Sequence, residues 1–138
     1  KLLPIIKRCL ARYGKCIIGA YVSAAVRIAR EAKKNNFSLK NVYFFVSGEP
    51  TTEAKRDEME SAGARVIPVY YFTEGGRIGF QCPNIKEGDD IHHFSDITAI
   101  ISYEREIEHS DSKVNAFLFT TLNPFAPKLI LAPCLIPW

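Results

Sequence analysis

Residues 41–76 read NVYFFVSGEPTTEAKRDEMESAGARVIPVYYFTEGG, and this stretch decides the fold class. The apolar run at 42–46 predicts a strand covered on both faces. A helix is expected to begin after Thr52, which can cap it, and Gly63 suits the left-handed position at its end. Residues 65–71 predict a second strand. A strand, a helix and a strand form one right-handed crossover, so the two strands are expected to be parallel.

Two loops begin at the carboxyl ends of these strands, at 48–50 after the first and at 70–76 after the second. The carboxyl ends of parallel strands lie on one edge of a sheet, where open α/β folds bind their ligands. The first loop offers backbone groups and a carboxylate, and the second offers aromatic rings, a hydroxyl and another carboxylate. Together these groups suit a nucleotide with a metal ion.

The remaining sequence completes a prediction of an α/β fold. Apolar residues at helical spacing predict helices over 2–13 and from 21 to about 34, which end at Gly14 and at Asn35–Asn36 respectively. After Gly76 we expect short strands separated by charged turns, at 77–82, 90–94, 97–102 and 114–121. The expected architecture is a partly parallel sheet with flanking helices (a βαβ unit) followed by a short β-meander. An α/β part would cover 1–76 and a β-rich part 77–138.

Composition and charge narrow the function classes. The net charge is +3, from 18 basic and 15 acidic residues dispersed along 138 positions, which argues against nucleic-acid binding. No segment approaches the ~20 apolar residues of a membrane helix, so no membrane partner is expected. Four cysteines lie far apart without a CxxC motif, which is typical of small apolar fillers in a reduced compartment. A cytoplasmic location is therefore expected.

Both loops resemble motifs of the acyl-adenylate-forming superfamily of AMP-dependent synthetases and ligases, above all its phenylacetate–coenzyme A ligase-like branch. Residues 39–50 (LKNVYFFVSGEP) resemble the strand that ends in the family's Gly-Gly-Glu-Pro turn. Residues 70–76 (YYFTEGG) resemble its Tyr-Gly-x-Thr-Glu-Gly-Gly signature. The resemblance extends over about residues 19–131, with 90–101 similar to the strand pair that follows in the family and 117–131 similar to the run that leads to its conserved aspartate.

The resemblance implies an adenine site. The turn formed by Gly48, Glu49 and Pro50 would pass under adenine, since glycine permits a close approach of backbone. Tyr70 would stack on the base. Tyr71 stands where the signature has glycine, and its bulk would narrow the adenine slot.

For the phosphates, the resemblance implies that Thr73 contacts them and that Glu74 holds the Mg²⁺ that bridges them. A hard cation prefers oxygen ligands, which a carboxylate supplies. The alternative for both residues is a solvated turn closed by Gly75 and Gly76. The implied cofactors are ATP or AMP and Mg²⁺, with coenzyme A as co-substrate of a full-length parent that activates a small carboxylic acid.

The family's phosphate loop with its lysine, its ribose-binding aspartate and its catalytic lysine have no match in this sequence. We therefore expect a portion of a larger adenylation domain, truncated at its C-terminal end and inactive as an isolated chain. Its partner would be the remainder of that domain or a second copy of the chain. The alternative is a non-catalytic module that binds an adenine nucleotide or a protein, and a third possibility is a free-standing α/β protein with coincidental loops.

Other residues admit simpler interpretations. Tyr70 and Tyr71 could be strand residues that pack on opposite faces of the sheet, as alternation predicts. Cys82 with His92 and His93 suggests zinc, but the spacing is not that of a standard site, and core or turn histidines are the favoured interpretation. No Ser/His/Asp or Cys/His arrangement stands out, so the sequence does not predict nucleophilic catalysis.

Overall fold

The computed structural model describes residues 2–73, 75–82, 90–106 and 113–125. Helices dominate the first half of these residues and strands the second. In chain order the elements are α1 Leu3–Tyr13, β1 Cys16–Tyr21, α2 Val22–Lys34, β2 Val42–Ser47, α3 Glu53–Glu60, β3 Arg65–Phe72, β4 Gly76–Phe80, β5 His92–His93, β6 Thr98–Glu106 and β7 Lys113–Thr121.

Five strands form one mixed sheet in the order β1-β2-β3-β4-β5. β1, β2 and β3 are parallel, with Phe44 opposite Val66, which confirms the predicted βαβ unit. β4 and β5 add to the sheet as antiparallel strands, as a meander requires. β6 and β7 form a separate antiparallel hairpin. The larger sheet therefore continues across the predicted boundary between 76 and 77, and that division into two parts stays a prediction.

β1 was not predicted from the sequence. Its residues, CIIGAY, follow α1 after a turn of only two residues and contain a glycine, so no strand pattern stands out. Parallel pairing with β2 places Cys16 opposite Val42 and makes this segment an edge strand of the described sheet. Long-range pairing thus decides the structure here, which local propensity cannot show.

The main core lies between the helices and one face of the sheet. α2 has its apolar residues at helical spacing, and Val22, Ala25 and Ala29 are fully buried. They pack in one cluster with Phe44 and Met59, from β2 and α3. Burial of each large apolar side chain contributes about 1.5–3 kcal/mol, so this cluster holds the helices against the sheet. Among the described helices, none is both long enough and apolar enough to cross a membrane.

The helix ends lie where the sequence predicts them, and one predicted capping contact is absent. α1 ends at Gly14, whose φ of 71° is left-handed, as expected. Thr52 stands at the N-cap position of α3, but its side chain makes no capping hydrogen bond, so that part of the prediction is wrong. Gly63 adopts φ 94° and its N–H donates to the Glu60 carbonyl, which closes the turn after α3 as predicted.

The second face of the sheet is not covered by any of the described helices. We call it the open face. Its residues alternate along the strands with those that face the core, and Ile17, Tyr21 and Tyr71 remain 66%, 65% and 49% exposed. Large apolar side chains therefore line this face, with Tyr21 and Tyr71 at the carboxyl ends of β1 and β3 and Ile17 near the start of β1.

Candidate functional site

A cavity of about 500 Å³ lies at the carboxyl end of β2, beside the last residues of β3. Its wall includes all of the Gly-Glu-Pro turn, residues 48–50, and both Tyr70 and Tyr71. The parallel pairing of β2 and β3 brings these two segments to one place. Five of the seven residues assigned to an adenine and phosphate site therefore line a single cavity.

Gly48 is required by its surroundings. Its φ is +78°, which L side chains rarely adopt, and an added Cβ would lie 2.6 Å from two ring carbons of Tyr21. Tyr21 is the residue that precedes α2, at its N-cap position. The turn thus lies directly against the start of α2, and glycine permits this approach.

Glu49 joins the turn to α2 and α3. Its carboxylate accepts a hydrogen bond from the Ser23 hydroxyl at 2.7 Å and another from the Ser23 backbone N–H at 3.1 Å. Lys55 Nζ lies 3.7 Å from Oε2 and donates to the Pro50 carbonyl at 3.2 Å. The hydrogen bond from the Ser23 hydroxyl is the main cause that lowers the pKa of Glu49. An ionised carboxylate therefore lies at the N-terminus of α2.

The two tyrosines have different environments. Tyr70 lies with its ring 6.0 Å from that of Phe72 and 6.1 Å from that of Phe119, centroid to centroid. Tyr71 points to the open face, where it pairs with Arg77 across the sheet. The pairing of β3 with β4 has a bulge between these two residues, and both of them are part of the cavity wall.

Of the two residues predicted to contact phosphate and metal, Thr73 and Glu74, the structure describes only Thr73. Thr73 lies in the turn after β3, where it is exposed, and it is not part of the cavity wall. Glu74, predicted to hold Mg²⁺, lies outside the described residues. Across the described ranges, no three His, Cys, Asp or Glu side chains gather in a metal-binding group. The roles of Thr73 and Glu74 stay predictions.

Gln81 is a cavity residue that the sequence did not indicate. It is 6% exposed, and its backbone N–H donates to the Pro68 carbonyl at 2.9 Å. Arg56 of α3 donates from Nη2 to the Gln81 side-chain oxygen and from Nη1 to the Val66 carbonyl at 3.4 Å. The burial of Gln81 follows from sheet pairing, and its position just after a short strand carried no signal for this.

A second, shallower hollow of about 610 Å³ lies on the open face. Phe45, Phe80 and Phe94 contribute aromatic rings to it, and Arg77 contributes a cation. Ser47, Val69 and Tyr71 belong to the walls of both hollows, so the two adjoin at the end of β2.

Cys82 and His92, which the sequence grouped with His93 as a possible but non-standard zinc site, lie in direct contact. Cys82 Sγ lies 2.8 Å from His92 Nε2. No Cys/His arrangement for nucleophilic catalysis stands out in the sequence, whereas the structure places this thiol and this imidazole within hydrogen-bonding distance. β4 and β5 bring the two side chains together by pairing Phe80 with His92.

No protein-family model matches this chain, and no curated protein matches it.

Proposed function

We propose that the cavity is the adenine site of a partial adenylation domain, from an ATP-dependent carboxylic acid–coenzyme A ligase of the phenylacetate-ligase type. The observation that carries this proposal is the convergence of two segments, 48–50 and 70–71, on one cavity wall. The family motifs need these segments together, although Pro50 and Tyr70 are 20 positions apart in the sequence.

The size and chemistry of the cavity support a nucleoside. Small-molecule sites usually have volumes of about 300–1,000 Å³, and 500 Å³ falls within that range. An aromatic wall at Tyr70 and Tyr71 offers a stacking surface, which is worth about 1–3 kcal/mol per base. Backbone groups of the Gly48 turn can hydrogen-bond a base edge, and the hydroxyls of Thr51 and Thr52, also in the wall, can bond the sugar.

The role of Glu49 in this proposal is to position the turn. Its carboxylate is held by Ser23 and Lys55, so it fixes the backbone of 48–50 relative to the cavity. A turn that is rigid before the ligand binds loses less entropy on binding, which favours affinity.

In the parent enzyme, the carboxylate of the acid would attack the α-phosphorus of ATP and release pyrophosphate. The thiol of coenzyme A would then displace AMP from the acyl-adenylate. Mg²⁺, when bound, would neutralise phosphate charge. The residues of the cavity bind and orient the adenosine end only, so we expect no acyl-coenzyme A formation by the chain alone.

A second candidate is a non-catalytic module that binds an adenine nucleotide. The position of Thr73, exposed and apart from the cavity wall, favours it, because the cavity then recognises adenosine without a phosphate contact at this residue. A module of this kind would bind AMP and ATP with similar affinity. Dependence of ATP binding on Mg²⁺ would favour the partial ligase domain.

Calorimetric titration of the purified chain with AMP, and with ATP in the presence and absence of Mg²⁺, tests the proposal. We expect micromolar binding that weakens about tenfold or more in Tyr70→Leu, the loss expected from a stacked base. Tyr13→Leu is the matched control, because Tyr13 is an exposed residue of α1 and not part of the cavity wall. An absence of binding, or equal binding by both variants, would contradict the adenine site.

A further inference from the structure

Cys82 and His92 lie on the open face of the sheet, at its β4–β5 edge. His92 is exposed, Cys82 is half-buried, and Sγ and Nε2 are separated by 2.8 Å. Cys82 is a thiol and not a half-cystine. A thiol within hydrogen-bonding distance of an imidazole is the arrangement that activates cysteine nucleophiles, since the ring nitrogen can take the thiol proton.

The other described cysteines have different surroundings. Cys16 is buried, and its burial is the first cause that raises the pKa of its thiol to about 11. The Cys9 thiol donates to the Lys15 carbonyl at 3.5 Å. Of the described cysteines, Cys82 alone has an imidazole beside it.

The hollow on the open face begins next to this pair. The ring of Phe80 lies 6.1 Å from the His92 ring and 5.4 Å from the Phe94 ring, and both phenylalanines line the hollow. Arg77 lines it as well. Aromatic rings with one cation suit an organic molecule that carries an apolar or aromatic part and a carboxylate.

We propose that Cys82 and His92 form a reactive thiol site that undergoes exchange with small disulfides bearing an apolar group and a carboxylate, with His92 as the base. Cys82 and His92 are not part of the nucleotide cavity's wall, although the hollow beside them shares Ser47, Val69 and Tyr71 with that cavity. The open face places the disulfide against Phe80 and Phe94, with its carboxylate toward Arg77.

The exchange needs no reactant other than the Cys82 thiol and the disulfide. Nε2 takes the Sγ proton as the sulfur electron pair forms a bond to one sulfur of the disulfide, and the disulfide bond breaks. The departing sulfur leaves as a thiolate, and the imidazolium gives its proton to this thiolate or, where the thiolate is a weak base, to water. Cys82 is oxidised to a mixed disulfide, and the departing thiol is the reduced product.

Dithiobis-nitrobenzoate is a suitable probe, because it is an aromatic disulfide with carboxylates and its departing thiolate is coloured. In the full chain with Cys134→Ser, we expect brief exposure near neutral pH to modify Cys82 before Cys9 and Cys16, as mapped by peptide mass spectrometry. His92→Gln should slow the modification of Cys82 about tenfold near neutral pH. The two rates should converge above about pH 9.5, where an unassisted thiol is ionised without a base.

His93→Gln is the matched control, because His93 is the next residue and pairs with Gly79 instead of Phe80, on the other face of the sheet. It should leave the rate unchanged. Arg77→Gln should slow the reaction of Cys82 with dithiobis-nitrobenzoate but not its reaction with the neutral disulfide dithiodipyridine. Circular dichroism of each variant establishes folding, and the order of modification in the unaltered His92 protein tests the proposal even if a variant unfolds.

Three results would overturn the proposal. The first is modification of Cys82 no faster than Cys9 or Cys16, and the second is an unchanged rate in folded His92→Gln near neutral pH. The third is a rate that rises after a chelator is added, since this would show that the pair holds a metal ion and not an available thiol.

Discussion

The carboxylate of Glu49 accepts hydrogen bonds from both the hydroxyl and the backbone N–H of Ser23, at 2.7 and 3.1 Å. Ser23 is the second residue of α2, where a backbone N–H has no partner within the helix. A residue from the turn after β2 thus caps a helix that precedes β2 in the chain. This contact ties the cavity wall to the core helix.

Replacement of Glu49 by Gln should lower the free energy of unfolding at neutral pH. The pKa of Glu49 is lowered in the folded state from 4.5, so its charge stabilises the fold above about pH 4.5, and this contribution is lost as the pH falls through the lowered value. Denaturant unfolding of both proteins across this range should therefore show a difference that shrinks toward acid pH. Glu106→Gln, at an exposed strand end, is the control and should change the free energy of unfolding little at neutral pH. A difference independent of pH would contradict the role of the charge.

Gly48→Ala should lower the free energy of unfolding by about 1–2 kcal/mol, because an L residue at positive φ is strained. Tyr21 must also move, since the added Cβ would lie 2.6 Å from its ring. Gly19→Ala is the control, because no atom lies within 4 Å of its added Cβ and its φ is not positive. We expect this control to change stability by about 0.5 kcal/mol or less in the same denaturant titration. Equal losses from the two substitutions would be inconsistent with the described turn.

Arg56→Met should cost about 1–3 kcal/mol, because it removes a charged donor from the buried side-chain oxygen of Gln81. The same change should weaken the binding of any ligand in the cavity, since Gln81 is part of the cavity wall. Arg30→Met is the matched control. Its guanidinium lies 3.7 Å from Glu58 and its side chain is 63% exposed, so we expect a loss of about 0.5 kcal/mol or less. Thermal unfolding of both variants distinguishes the two environments, and a small loss in Arg56→Met would show that Gln81 does not need this donor.

The burial of the Cys16 thiol predicts a loss of stability at alkaline pH. Burial, followed by the Cys9 thiol, raises the pKa of Cys16 from 9.0 to about 11. The unfolded chain therefore releases this proton at lower pH than the folded chain, and the free energy of unfolding falls between these two values. Cys16→Ala should remove part of this slope in denaturant titrations against pH. A slope identical to that of the unaltered protein would contradict the burial of the thiol.

The parallel βαβ unit could be predicted because its signals are local. An apolar run, a glycine-containing turn and a helix of suitable length occur in order, and β2 and β3 form where the sequence indicates. The end of α1 at Gly14 was predictable for the same reason, since glycine readily adopts φ 71°. β1 was not predictable, because its six residues become a strand through pairing with β2.

The cavity was predictable only in part. The motif resemblance indicated that residues 48–50 and 70–71 belong together, and parallel pairing of β2 and β3 accounts for their meeting. Gln81 and the Cys82–His92 pair depend on antiparallel pairing of β3, β4 and β5. The register of this pairing decides which side chains lie on the same face of the sheet, and a shift of one residue would move each side chain to the opposite face. No local pattern at Gln81 or Cys82 contained that information.

The most direct test of the adenine site is a map of backbone amide chemical shifts while AMP is added to the isotopically labelled chain. We expect the largest changes at Gly48, Glu49, Thr51, Tyr70 and Tyr71, with little change along β6 and β7 away from Phe119. Adenosine should give the same pattern if the base and sugar determine binding. An absence of shift changes at millimolar AMP, or changes centred on the open face near Phe80 and His92, would contradict an adenine site in this cavity.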